Sequence, residues 1–132
     1  MSWDVVIFSS KQKIVSLEEL EEDLLIPIDF NSILEEHFKN IIIHGDHREI
    51  KGDNYSIDYY VSDEPTSNML FNLYGEPALF ELIRISKKYA WQIFDTGNGQ
   101  MLDLDHPENN GYQDFQNYLQ HVLKNSNDKT QD

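Results

Sequence analysis

Cysteine is absent from this chain of 132 residues. That excludes a disulfide framework, a thiolate zinc site and a cysteine nucleophile. It fits a cytoplasmic protein. Basic residues are scarce too: 10 Lys and Arg stand against 24 Asp and Glu, for a formal net charge of −14 and a pI near 4.5. Nucleic-acid affinity comes largely from cations that neutralise phosphates, so this balance argues against a nucleic-acid partner and for a basic or mixed-charge protein partner. Long apolar runs are missing, and no stretch approaches the ~20 residues of a membrane span. The amino terminus, "MSWDVVIFSSKQK", lacks the basic region and apolar run of a secretory signal. The phosphate-cradling glycine loops, the Gly-x-Ser-x-Gly elbow and the His-Glu-x-x-His zinc motif are absent as well.

What is present reads as one α+β domain over residues 1–126 with a disordered tail at 127–132. "WDVVIF" is a strand, and "DFNSILEEHFKNII" a helix with Phe30, Ile33, Leu34, His37, Phe38 and Ile41 on one face. Ser32 and Glu35 stand in capping-box spacing there, as do Ser16 and Glu19 before the acidic run "EELEEDLL", a short helix or an acidic loop. "HGDHREIKGDN" is turn-rich, with room for one short strand. "YSIDYYVS" and "MLFNLYG" predict an antiparallel hairpin, and Gly75-Glu76-Pro77 opens a helix to about Ala90. "WQIFD" and "QMLDLD" form a second hairpin across "TGNG", and "YQDFQNYLQHVLKN" has the apolar spacing of a final helix. The order β-α-β-β-α-β matches a ferredoxin-like antiparallel sheet with helices on one face, extended by a C-terminal β-α.

Asp95-Thr96-Gly97 carries the letters found at the catalytic aspartate of aspartic proteases, which need two carboxylates sharing a proton. A turn explains the same letters with less. Gly97 and Gly99 tolerate positive φ, Asn98-Gly99 suits a tight hairpin, and Asp95 can accept backbone N–H groups. Candidate chemistry elsewhere is of four kinds. Asp103, Asp105 and Glu108 are hard oxygen donors suited to calcium or magnesium, although Pro107 breaks the EF-hand spacing and helix capping explains such a loop. His44 and His47, with Asp46 and Glu49, offer zinc ligands, against the commoner reading of exposed loop histidines. Glu18, Glu19, Glu21, Glu22 and Asp23 offer a patch to a cationic partner, against that of an ordinary solvated surface. Trp3, Trp91, Tyr59, Tyr60, Phe71 and Tyr74 suit either a cleft or, more commonly on strands, the core.

The "MSWD" start, "DEP" at Asp63 to Pro65, "WQIFDTGNGQMLDLDHP" and "GYQDFQNYL" together resemble a family of small bacterial proteins with no assigned activity. The resemblance implies bacterial origin and a single cytoplasmic domain, and carries no catalytic role for Asp95. The leading expectation is a non-enzymatic interaction protein of the immunity or antitoxin kind, needing no cofactor. The alternative is a small hydrolase or metal-dependent enzyme using Asp95 with Asp103 or Asp105.

Overall fold

The computed structural model describes residues 3–97 and 99–105. The expected last helix and tail, with Glu108, lie outside them. The described chain is α+β: a seven-stranded sheet in which every neighbouring pair is antiparallel, with two α-helices. In chain order these are β1 (Trp3–Phe8), α1 (Phe30–His37), β2 (Ile41–His44), β3 (His47–Gly52), β4 (Tyr55–Tyr60), β5 (Asn68–Tyr74), α2 (Glu76–Tyr89), β6 (Gln92–Asp95) and β7 (Gln100–Met101). The spatial order is β2-β3-β4-β5-β1-β6-β7.

This is not the ferredoxin-like order that the sequence suggests. Four strands, not two, lie between the helices, because the passage "IIIHGDHREIKG" is a complete hairpin. Gly45 turns it at φ +60°, a conformation open to glycine, and the polar letters that look like loop alternate on an ordinary ladder, His47, Glu49 and Lys51 on one side and Arg48 with Ile50 on the other. Ile41 therefore belongs to β2 and not to the face of α1. The helix ends at His37, and Phe38 is already extended. Its cap also differs from expectation: Asp29, not Ser32, accepts from the Ser32 backbone N–H and hydroxyl.

One face of the sheet carries the core. Registers Ile57↔Leu73↔Trp3 and Phe71↔Val5 place apolar side chains in rows beneath Phe30 and Leu34 of α1 and Leu79, Leu82 and Ile83 of α2. Each such side chain, fully buried, contributes roughly 1.5–3 kcal/mol. Trp91 packs at 4.9 Å on Phe30 and 5.3 Å on Tyr89, whose hydroxyl lies 2.6 Å from His37 Nε2, so the C-terminal ends of both helices are held together. Tyr59, Phe71 and Trp91 are core residues, and the Tyr59 hydroxyl donates to Asn31 at 2.8 Å. Tyr60 and Tyr74 are instead exposed.

The other face is largely open. Across it runs the polar row Glu49↔Asp58↔Asn72↔Asp4, beside an apolar row of Leu70, Val6, Phe94 and Met101. Among the described residues no helix is long and apolar enough to cross a membrane.

Candidate functional site

The acidic segment between β1 and α1 forms neither a regular helix nor a free loop. Two short 3-10 turns, Leu17–Glu19 and Glu22–Leu24, hold it, and Ser16 makes no side-chain cap. Five carboxylates within six residues repel along a helix, and Pro27 disfavours helical backbone just before it. Both ends of the segment are anchored. The Lys11 N–H donates to the Leu24 carbonyl at 2.8 Å, that of Ile26 to Ser9 at 2.8 Å and that of Ile28 to Thr66 at 2.9 Å. Within the loop Ile14 is buried, and its N–H is accepted by the Gln92 side chain, whose amide donates back to the Gln12 carbonyl.

On this support Glu18, Glu19, Glu21, Glu22 and Asp23 are all exposed. None of them forms an ion pair among the described residues. Three apolar side chains stand in solvent within the same stretch: Val15 at 74% exposure, Leu17 at 39% and Ile26 at 36%. The surface is thus negative and locally apolar, the composition that a cationic, partly apolar counterpart fits.

The Asp-Thr-Gly hairpin is arranged differently. Asp95 lies on the helix-facing side of β6 opposite Val5, with no solvent exposure. Its Oδ1 accepts the Gly97 N–H at 2.9 Å, and its carbonyl accepts the Gly99 N–H at 2.8 Å. The Thr96 hydroxyl donates to the Asp4 carbonyl at 2.7 Å, tying the turn to β1. Asp95 and Thr96 thus make contacts that account for their side chains, and of the two glycines it is Gly99, at φ +67°, that takes the left-handed conformation. Asp103 and Asp105 line a shallow groove of about 390 Å³ beside Trp91, Lys11, Lys13 and Lys87, and Asp95 is not among its lining residues. Asp103 accepts the Asp105 N–H at 3.1 Å, and the 75% exposed Asp105 side chain pairs with Lys87 at 3.3 Å. One carboxylate therefore sits in the core and another in water.

His44 and His47 face each other across the β2–β3 turn with rings 6.1 Å apart, and His47 Nε2 lies 3.9 Å from Asp58 Oδ2. Among the described residues no group of three or more His, Asp or Glu is arranged to hold a metal ion. Glu108 falls outside them. Asp58 is the perturbed acid of this face: burial first, then the neighbouring Glu49 charge, holds its carboxyl above the usual aspartate value, while His47 and Lys51 oppose the shift. Its Oδ1 is inaccessible and has no hydrogen-bond partner among the described residues.

Sequence reasoning missed this open face, because the cross-strand neighbours that build it come from six strands spread over the chain. The signal was present only as polar residues at alternate positions of "HREIKG" and "YSIDYY". Comparison with family models, with curated proteins and with solved structures finds no match for the chain.

Proposed function

We propose that this chain is a non-enzymatic, cytoplasmic interaction protein that binds a basic or mixed-charge protein partner, as the immunity or antitoxin half of a bacterial pair does. The observation that supports this reading is the acidic segment: five exposed carboxylates without an ion pair among the described residues, interleaved with exposed Val15, Leu17 and Ile26. Such a surface draws a cationic partner at long range through the net charge of −14 and gives it apolar area to bury on contact. Asp95 serves the fold in this reading, as do Asp103 and Asp105, which make local contacts at the groove.

The test is affinity capture from bacterial extract with the immobilised chain, identification of the bound protein, and repetition with Glu18→Lys, Glu21→Lys and Asp23→Lys combined. Loss of the partner in that variant, and its retention in Asp95→Asn with Asp103→Asn, is the expected result. The opposite pattern sinks the interaction reading and revives a hydrolase centred on the hairpin.

A further inference from the structure

The sheet ends at β2, whose only described neighbour is β3. An edge strand leaves half of its backbone N–H and C=O groups pointing outward, ready to pair with another strand. Proteins usually blunt such edges with charge, proline or a bulge. The four residues of β2, Ile-Ile-Ile-His, contain no Lys, Arg, Asp, Glu or proline, and their short run is the protection visible among the described residues. Ile42 is 40% exposed on the open face, and Ile43 is 59% exposed on the helix-facing side. Three successive β-branched residues favour extended backbone and cross-strand packing, so the edge is already in the conformation that strand addition needs.

The charge next to this edge selects the occupant. Beside Ile42 on the open face lies Glu49, and beyond it, on β4, Asp58. Among the described residues Lys51, 3.6 Å from Glu49, and His47, 3.9 Å from Asp58, offset them on this face, while Arg48 stands opposite Ile43 on the other. A second copy of this chain would bring its own Glu49, Asp58 and net charge of −14 to the same edge. A basic strand brings the complement.

We propose that β2 is a docking edge for an extended strand of a basic protein partner, with apolar side chains against Ile43 and lysine or arginine on the face of Ile42 and Glu49. The basic character of that partner rests on the interaction reading above; the edge itself rests on topology and exposure. Main-chain pairing supplies affinity in this mode, and alternate side chains supply selectivity.

The proposal is tested with a short synthetic peptide alternating valine and lysine, and with its valine and glutamate counterpart. Binding is followed by titration and by hydrogen exchange of the backbone amides of residues 41–44. The lysine peptide binds and slows exchange at those amides, Ile43→Lys weakens it about tenfold or more, and the glutamate peptide does not bind. Ile43→Thr keeps the β-branch if the lysine variant fails to fold, and also weakens binding. In the chain carrying Glu18→Lys, Glu21→Lys and Asp23→Lys, protection of residues 41–44 by the peptide persists, so a failure of the acidic segment and a failure of the edge are read separately. Equal binding of both peptides, no added protection at 41–44, indifference to both Ile43 variants, or self-association of the chain through these amides overturns the proposal.

Discussion

Glu49 and Asp58 stand directly opposite each other on adjacent strands of the open face, two carboxylates on neighbouring positions of one row. Like charges so placed oppose folding, and here the position of Asp58 adds a desolvation cost.

Asp58→Asn is therefore expected to raise the urea midpoint at pH 7. The sign follows from linkage: a carboxyl whose folded pKa lies above its unfolded value stabilises the fold fully below the unfolded pKa, and that contribution is lost as pH rises through the folded one. The advantage of the asparagine should shrink to nothing below about pH 3, where the aspartate is protonated in the folded and the unfolded chain alike. Denaturation of the two proteins across that pH range checks it.

Asp95 makes the opposite prediction. Its Oδ1 accepts the Gly97 N–H at 2.9 Å from a position with no solvent exposure, so Asp95→Ala removes that hydrogen bond and should cost about 1–3 kcal/mol. Asp95→Asn keeps an oxygen acceptor and should cost less. Chemical unfolding of both variants measures the difference.

Two glycines with positive φ should respond unequally to alanine. At Gly75, φ +91°, a Cβ would lie 2.3 Å from the Asn54 carbonyl oxygen, a backbone atom that cannot step aside alone. At Gly45, φ +60°, a Cβ meets nothing within 4 Å. Gly45→Ala should cost only the left-handed penalty of about 1–2 kcal/mol, and Gly75→Ala distinctly more. Thermal melts of the pair read this directly.

Much of the fold was legible from local pattern. The strand Trp3–Phe8, the hairpin strands β4 and β5, the proline-opened helix α2 and the hairpin of β6 with β7 all follow from apolar spacing and turn residues. The hairpin of β2 and β3 was not legible. Its alternation is broken by an edge position, where isoleucines stay in water and the inward row includes Arg48. Burial on a sheet edge depends on which strand lies next to it, and that is a property of topology and not of the segment. The same reason hid the open face: Glu49, Asp58, Asn72 and Asp4 become one row only after β5 pairs with β1 across the chain. The acidic segment was legible as composition, while its anchoring through Ser9, Lys11 and Thr66 was not.

Titration calorimetry of the captured, purified partner against the wild-type chain and against the Glu18→Lys, Glu21→Lys, Asp23→Lys variant tests the central claim most directly. Three charge contacts at an interface are expected to weaken binding by about a hundredfold or more, with a salt dependence that flattens in the variant. An affinity unchanged by reversing those three charges would contradict the account.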